Sequence, residues 1–378
     1  MESSSFVRKR VVLRIPDEII HYEILTRVPV RSLLRFKSVC KDWYTLINSS
    51  TFINAYEKYA FDLSTHDSRD FLSVATKFTT DYPKKQLIFT YYDAPQFTSG
   101  IDVIVDKLIN INDDYPTVVV GSCNGLICLR MHQSGLLLCN PITRECRRLS
   151  DPVSYDGPDV TTYYEQYGFG YDIVSNNYKI VKITSIFDEF RLEKAIVLVY
   201  NAYNNSWKEA RNIPRSAKVS PSQYWSASRL HHYTKQIIIT FDLHTEEFKV
   251  MKYPTVFKGY TYHLLQLMIT GGRLCAIVSH RPYSNFTLWV MKEYGMPKSW
   301  TKLSDIDERI SYFSVITYRT RTQGEELLFK KYVDNQLVWY NIEDKSITKV
   351  DVTTNDRIYS RQWVCIASLA RIPANVAI

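Results

Sequence analysis

The chain has 378 residues, of which 45% are hydrophobic and 23% are charged, a composition typical of folded globular domains and not of disordered or collagen-like chains. At roughly 150 residues per domain, this length allows two or three domains, or one small module attached to a large one. Lys and Arg outnumber Asp and Glu by 47 to 39, but the excess is spread along the chain, so no nucleic-acid partner is indicated.

The N-terminal residues do not predict secretion. The basic cluster Arg8-Lys9-Arg10 precedes an apolar run that Arg14 and Asp17 interrupt too early for a secretory signal, and we interpret it as a solvated basic tail in preference to a nuclear address. No stretch approaches the roughly 18 apolar residues of a membrane helix, so no membrane partner is expected. The seven cysteines lack a Cys-x-x-Cys pair and predict neither a disulfide framework nor a zinc site. These features favour a reducing compartment, cytoplasmic, nuclear or both.

Residues 15–48 predict three short helices. Pro16 suits a first helical position, Asp17 and Glu18 follow in the first turn, and Val28-Pro29 ends the helix. The apolar residues fall on three stripes at helical spacing: Ile19, Ile20, Ile24 and Leu25; Leu33, Leu34, Phe36, Val39 and Cys40; and Trp43, Leu46 and Ile47. Three helices in about 35 residues do not enclose a core alone, so we expect a partner or a neighbouring domain to cover apolar surface.

The order of residues in this segment is more specific than its composition. The run from Leu13 to Trp43, with Ile15-Pro16, Val28-Pro29 and Val39-Cys40-Lys41-Asp42-Trp43, closely resembles the F-box in its plant form. The two Leu-Pro pairs of that family appear here as Ile15-Pro16 and Val28-Pro29, conservative exchanges that keep both helix starts.

The resemblance implies a partner for this module. In that family, the helices dock on a Skp-type adaptor, which links them to a cullin and a ubiquitin-conjugating enzyme. Carried over by position, the residues facing the adaptor are Ile15, Pro16, Ile19, Pro29, Val30, Leu33, Leu34 and Cys40. The alternative for each is packing inside the module, which we expect for Phe36 and Trp43.

From about residue 70 the sequence predicts strands. Runs of β-branched and aromatic residues alternate with Gly, Asn, Asp and Pro clusters. The clearest hairpin is centred on Asn124-Gly125, because that pair supplies the positive φ values of a tight two-residue turn. The nearby Gly121-Ser122 is not a hydrolase elbow, since Gly-x-Ser-x-Gly is absent.

An internal repeat organises these strands. A strand, a polar turn and a return strand recur around anchors spaced 41 to 61 residues apart, about the length of a propeller blade: Asn140, Asn201, Asp242, Met291 and Asn341. Residues 71–77, 86–92 and 363–369 are predicted to form a sixth blade. A packed pair of β-sandwiches is the structural alternative.

The same region resembles the F-box-associated domain of plant F-box proteins. Matching stretches include Asn140-Pro141-Ile142-Thr143-Arg144, Tyr167-Gly168-Phe169-Gly170-Tyr171-Asp172 and Leu288-Trp289-Val290-Met291. The string Ser228-Arg229-Leu230-His231-His232 departs from the family pattern and predicts an irregular blade. Phe52-Ile53-Asn54 and the layout are similar to the S-locus F-box branch, which handles pistil ribonucleases.

The predicted fold is therefore an α+β chain, with a small three-helix F-box module followed by a large all-β domain forming a six-bladed β-propeller-like array. We divide the chain into the F-box helical module at 12–56, a connecting region with the first strands at 57–115, and the F-box-associated β domain at 116–378.

Chemistry-bearing motifs are missing from the sequence. It contains no Walker loop, dinucleotide fingerprint, zincin helix or EF-hand loop, so neither a cofactor nor a catalytic residue is predicted. Tyrosine, present 28 times, suits both strands and interfaces. The candidates for target binding are aromatic residues in expected loops: Tyr155, Tyr163, Tyr164, Tyr167, Tyr224 and Trp225. The alternative is that they cap blade edges.

Three functions fit these patterns. The first is a non-catalytic substrate receptor of a Skp–cullin–F-box (SCF) ubiquitin ligase, with a Skp-type adaptor, a cullin and an unidentified protein target as partners. The second is a propeller enzyme or carbohydrate-binding protein whose F-box only regulates its own turnover. The third is an F-box protein that works outside a ligase.

Overall fold

The computed structural model divides the chain into two compact units, Met1–Leu63 and Ser64–Ile378. The boundary lies later than the predicted 56/57 because a helix continues through Asp62, and the first strands belong to the second unit. The structure describes residues 15–62, 71–78, 85–92, 101–104, 118–131, 135–150, 162–188, 191–210, 230–234, 237–252, 263–270, 273–281, 284–306, 313–321, 324–331, 336–350, 363–366 and 368–373.

The first unit is helical, as predicted, but contains one helix more than the sequence indicated. The described elements are α1 (Asp17–Ile19), a π-helical turn (Ile20–Ile24), a 3-10 turn (Leu25–Arg27), α2 (Val30–Phe36), α3 (Lys41–Ile47) and α4 (Ser50–Asp62). Pro16 and Pro29 each precede a helix as its N-cap, one position earlier than the predicted first helical residue. None of the described helices is long and apolar enough to cross a membrane.

The additional helix completes the core of this unit. Phe52, Ile53 and Tyr56 of α4 are buried together with Leu25, Val30, Leu33 and Ile47, and the Tyr56 hydroxyl donates to the Val28 carbonyl at 3.4 Å. The rings of Phe36 and Trp43 lie against each other with centroids 5.3 Å apart, as expected for residues that pack internally. The shortage of core predicted for three helices is thus partly met by the fourth.

In the residues that the structure describes, the second unit forms six antiparallel sheets, which we call blades 1 to 6. Blade 1 contains β1 (Phe71–Phe78), β2 (Lys85–Tyr92), β3 (Ile101–Ile104) and β23 (Trp363–Ile366), and blade 2 contains β4 (Val118–Cys123), β5 (Leu126–Met131), β6 (Gly135–Asn140) and β7 (Glu145–Arg148). Blade 3 contains β8 (Thr162–Asp172), β9 (Asn177–Asp188), β10 (Arg191–Asn201) and β11 (Ser206–Glu209), and blade 4 contains β12 (Leu230–Thr234), β13 (Ile237–Asp242) and β14 (Glu247–Lys252). Blade 5 contains β15 (His263–Thr270), β16 (Arg273–Arg281), β17 (Ser284–Met291) and β18 (Trp300–Asp305), and blade 6 contains β19 (Phe313–Arg321), β20 (Gly324–Lys331), β21 (Leu337–Asn341) and β22 (Ile347–Val350). The array is propeller-like, as predicted, and the alternative of two sandwiches is not observed.

Blade 1 joins the two ends of the β unit. The strand β23 pairs with β1 in the register Phe71↔Ile366, which confirms the predicted sixth group of strands. Blade 4 has three strands in the part of the chain that the structure describes, and its β12 begins within the string that departs from the family pattern.

The repeat anchors share one turn geometry. Each predicted anchor ends a strand, and the side-chain oxygens of Asn140, Asp242 and Asn341 accept backbone N–H groups two and three residues further along. The residue four positions after the anchor has a positive φ, 62° at Arg144 and 56° at Glu246. Asx side chains favour such turns, so the repeat period reports the position of each blade's hairpin. At Asn124-Gly125 the φ values are 47° and 76°, as predicted.

Apolar side chains fill the spaces between neighbouring blades. One cluster joins blades 2 and 3 through residues such as Leu126, Phe169 and Tyr200, and similar clusters lie between blades 3 and 4, 4 and 5, and 5 and 6. Gly121 allows β4 to approach β8 closely, because a Cβ there would lie 3.3 Å from Cβ of Phe169.

The hairpin of β6 and β7 also corrects a prediction. Cys139 and Cys146 are register partners and form a disulfide, whereas the cysteine spacing predicted none. The anchor turn at Asn140 places residues seven apart opposite each other, so the pairing follows from the hairpin and not from any cysteine motif.

A buried ionic network ties blade 3 to blade 4. Lys179 lies 3.2 Å from an Asp172 carboxylate oxygen and 3.0 Å from Glu246, and its ammonium donates to the Leu243 carbonyl. Burial alone raises the pKa of Asp172, but hydrogen bonds from Ser175, Lys179 and backbone N–H groups outweigh burial and hold the pKa well below its usual value. His244 borders the network, with Nδ1 3.4 Å from the same carboxylate.

We expect this network to make folding sensitive to acid. Because the folded-state pKa of Asp172 is lowered, its stabilising effect is complete above the unfolded pKa of about 3.9 and is lost as the pH falls through the folded-state pKa. Asp172→Asn should lower the free energy of unfolding at pH 7 by about 2 kcal/mol, the value of a hydrogen bond to a charged group, and should reduce the acid dependence of stability below about pH 4. Urea denaturation across this pH range measures both effects. Glu293→Gln, at an exposed bend, is the control; an equal effect there would contradict this explanation.

Candidate functional site

The helical unit exposes apolar side chains that its own core does not cover. Ile15 is 52% exposed and Ile19 46%, and Pro16, Pro29 and Cys40 are also exposed. These five residues of the predicted adaptor-facing set are called the docking surface below. Large apolar residues with this exposure commonly mark protein interfaces when they occur together.

Two predicted adaptor contacts are wrong, because their side chains lie inside the unit. Val30 is 1% exposed and Leu33 is fully buried, since their spacing of three residues places both on the inward face of α2. Leu34, the next residue, is half-buried. Val30 and Leu33 therefore stabilise the module and present no surface to a partner.

The sequence also missed exposed apolar residues. Ile24, which shares a predicted stripe with Leu25, is 44% exposed and lies in the π-helical turn over Ile20–Ile24, where residues depart from the 3.6-residue period. Tyr22, Val39 and Tyr44 are exposed as well. No sequence signal indicated the π turn, so periodicity could not show that Tyr22 and Ile24 face outward.

A shallow groove of about 550 Å³ lies beside Cys40. It is lined by Lys37, Ser38, Cys40, Lys41, Tyr44 and Thr45. Lys37 donates to the side chain of Asn48 at 2.7 Å, while Lys41 is exposed at the start of α3. The Cys40 sulfur accepts the Trp43 N–H, so it caps α3 as well as lining the groove. The groove offers positive charge next to apolar surface.

The structure describes only three of the six aromatic residues that were predicted to bind the target. Tyr155, Tyr224 and Trp225 lie outside the described residues. Tyr163 and Tyr164 belong to β8, as does Tyr167, so the prediction that these three occupy a loop is wrong. The strand starts earlier than expected because the residues from Thr162 onward pair in register with β9.

Tyr167 lies in a charged cluster between blades 2 and 3, which we call the Arg130 cluster: Arg130, Glu165, Tyr167 and Lys182. Glu165 accepts hydrogen bonds from Arg130 at 2.7 Å and from the Tyr167 hydroxyl at 3.2 Å, and its other carboxylate oxygen lies 2.6 Å from the Lys182 ammonium. The Arg130 guanidinium sits 5.0 Å from the centroid of the Tyr167 ring. Burial, then the Glu165 charge, raises the pKa of Tyr167, so its hydroxyl remains a donor.

Among the described residues, side chains that could bind a metal are not grouped, and the buried thiols of Cys123 and Cys275 are not activated. No group of three or more His, Cys, Asp or Glu side chains within them could hold a metal ion. Burial raises the pKa of Cys123 and of Cys275 to about 12, so both thiols are protonated at neutral pH, and a protonated thiol is a poor nucleophile.

Comparison with known proteins covers both units. One family model, the F-box domain, matches residues 12–54, and another, the F-box associated beta propeller domain, matches residues 93–372. Relatives from Arabidopsis thaliana include the F-box protein CPR1, 26% identical over 93% of this chain and 87% of its own length. Another is the F-box/kelch-repeat protein At3g23880, 31% identical over 75% of this chain and 77% of its own.

Solved structures with a similar arrangement have low sequence identity. A chain of the nidogen/laminin complex covers 79% of this chain and 99% of its own length, with 8% identity and a TM-score of 0.46. The beta-propeller domain of the Trilobed protease from Pyrococcus furiosus covers 77% and 95%, with 9% identity and a TM-score of 0.37. The docking surface lies within the first family match, and the Arg130 cluster within the second.

Proposed function

The chain belongs to the F-box proteins that carry an F-box associated beta propeller domain, and on this premise we propose that it is the substrate-recognition subunit of an SCF ubiquitin ligase. The docking surface binds a Skp-type adaptor, and the adaptor links the chain to a cullin. The β unit captures the protein to be ubiquitinated. This chain performs no chemistry itself.

The observation that carries the proposal is the exposure of Ile15, Pro16 and Ile19 on a folded helical unit. The sec-butyl side chains of the two isoleucines and the proline ring are exposed instead of lying in the core that α4 completes. Removing such surface from water stabilises a complex by roughly 25 cal/mol per Å² before ordering costs are subtracted. A partner with a complementary apolar groove gains this free energy, and the matched F-box family supplies the class of partner.

The contribution to catalysis is proximity. A receptor that holds a target beside a charged conjugating enzyme raises the effective concentration of the target's lysines, which turns a bimolecular encounter into a nearly intramolecular one. We propose the cytoplasm, the nucleus or both as its location, where such ligases meet their targets.

A narrower target class is a pistil-type ribonuclease, which the likeness of residues 52–54 to the S-locus branch supports. Phe52 and Ile53 are core residues of α4, so their packing role gives an independent reason for their presence. Direct binding of a purified ribonuclease to the intact chain tests this class, and the absence of binding at micromolar concentration would remove it.

Affinity capture of the tagged full-length chain, with the proteasome inhibited, tests the general proposal. We expect the adaptor and cullin together with at least one further protein, and we expect Ile19→Asp to retain only the further protein. A point variant is preferable to deleting residues 1–50, because deletion would expose Phe52 and Tyr56 and attract unrelated proteins. Recovery of neither adaptor nor cullin by the intact chain would contradict the proposal.

A further inference from the structure

We propose that the Arg130 cluster is an anion-recognition site, in which Arg130 binds a carboxylate or phosphate group presented by a side chain of the target protein. This inference rests on the proposed function and adds the chemistry of the target.

The first argument is the charge balance of the cluster. Arg130 and Lys182 bring two positive charges, and Glu165 supplies one negative charge. The side chains of Glu165 and Lys182 are 14% and 6% exposed and pair with each other where water screens charge poorly, so the uncompensated positive charge belongs to Arg130, whose side chain is 40% exposed. Buried ion pairs are often no more stable than apolar packing of the same volume, which favours a role beyond stability.

The second argument is the fixed orientation of the Arg130 side chain. One terminal nitrogen, Nη2, is bound by Glu165, and the guanidinium stacks on Tyr167, so the side chain is held in one orientation. Its side chain is nevertheless 40% exposed, and its other N–H groups have no hydrogen-bond partner in the part of the chain that the structure describes. A guanidinium fixed in this way loses little entropy on binding an oxyanion through two parallel hydrogen bonds.

The third argument is the apolar neighbour. Val118 is the register partner of Arg130 across β4 and β5, and directly opposed residues project on the same face of a sheet. Val118 is 52% exposed, so an apolar contact lies next to the fixed guanidinium. The surface fits a target segment in which an acidic or phosphorylated residue is adjacent to an apolar one.

The fourth argument is position. Glu165 lies near the start of β8, next in sequence to Tyr163 and Tyr164, two of the aromatic residues that the sequence analysis nominated for target binding. Arg130 is paired across the sheet with Val118, the first residue of β4. The cluster therefore lies at the ends where β4 and β8 begin, and the Asn124-Gly125 turn lies at the opposite end of β4.

Selection from two peptide libraries on the intact chain tests the inference. One library contains Asp and Glu, and the other also contains phosphoserine and phosphotyrosine, so the two arms separate carboxylate from phosphate recognition. We expect enriched peptides to carry an anion beside an apolar residue, and Arg130→Gln to weaken their binding about tenfold, as expected for loss of charge-assisted hydrogen bonds. Arg130→Lys, which keeps the pair with Glu165 but loses the planar fork, should be intermediate.

The matched control is Arg144→Gln, which removes an exposed positive charge from the turn of the same blade and should change binding less than twofold. Enrichment of uncharged peptides, no enrichment, or equal binding by Arg130→Gln and the wild type would overturn the inference. Adaptor binding is measured on every variant in parallel. If the wild-type chain does not bind the adaptor, the proposed function is rejected. If the wild-type chain binds the adaptor but does not enrich anionic peptides, only the anion-recognition site is rejected.

Discussion

Replacing Ile19 by aspartate is expected to weaken binding of a Skp-type adaptor about 100-fold, a loss of about 2.7 kcal/mol. Ile19 is 46% exposed in the free chain, so the substitution removes apolar contact area and buries an unpaired carboxylate in the complex. The fold should tolerate the change, because position 19 lies in the first helical turn, where an acidic residue is favoured. Calorimetric titration of the purified full-length chain with the adaptor measures the affinity.

Ile173→Asp is the matched control for this variant. Ile173 is 83% exposed on the β unit, so the same chemical change is made at a site remote in sequence from the docking surface. Circular dichroism and thermal melting should show both variants folded. If Ile19→Asp binds the adaptor as tightly as the wild type, the part of the docking surface formed by Ile15, Pro16 and Ile19 is misplaced.

Replacing Asn140 by alanine is expected to lower the free energy of unfolding of the β unit by about 3 kcal/mol, because four hydrogen bonds of roughly 0.7 kcal/mol each are removed. The fully buried amide accepts the N–H groups of Ile142 and Thr143 and donates to the carbonyls of Ser368 and Ala370 at 3.2 and 2.8 Å. One side chain therefore holds a turn of blade 2 and fixes the C-terminal segment. Urea denaturation of the full-length chain is the measurement.

Asn201→Ala separates these two roles. Asn201 is the corresponding anchor of blade 3 and accepts the Asn204 N–H and the Asn177 amide, with no bond to the C-terminal segment among its described contacts. We expect a loss of about 1 to 1.5 kcal/mol for it, from two hydrogen bonds. Equal destabilisation by the two variants would show that docking of the C-terminal segment contributes nothing.

The features that the sequence predicted correctly are those encoded by a few neighbouring residues. Asn124-Gly125 specifies its own turn because both residues tolerate positive φ. The anchors Asn140, Asp242 and Asn341 mark their hairpins because each Asx side chain bonds the backbone just after it. The sixth blade, predicted from residues 71–77, 86–92 and 363–369, is the exception, because its strands β1 and β23 come from the two ends of the β unit.

The errors arose where distant contacts override local pattern. Helical period groups Ile24 with Leu25 on one stripe, but Leu25 is buried whereas Ile24, in the π turn, is exposed. Family position suggested Val30 and Leu33 as adaptor contacts, yet α4 closes a core in which both are buried. The tyrosines at 163, 164 and 167 were interpreted as loop residues because no local signal showed that β9 extends far enough to pair with them.

The sequence by itself determined the two-part organisation, the family resemblance, the blade period and the residue types at the docking surface. These follow from turn chemistry and hydrophobic period, which act over a few residues. Only the tertiary structure decided which apolar side chains of the helical unit remain exposed, and only it brought together Arg130 and Glu165, which are 35 residues apart. Burial and charge pairing depend on where separate strands and helices come to lie, and the positions of those elements are set by packing against one another.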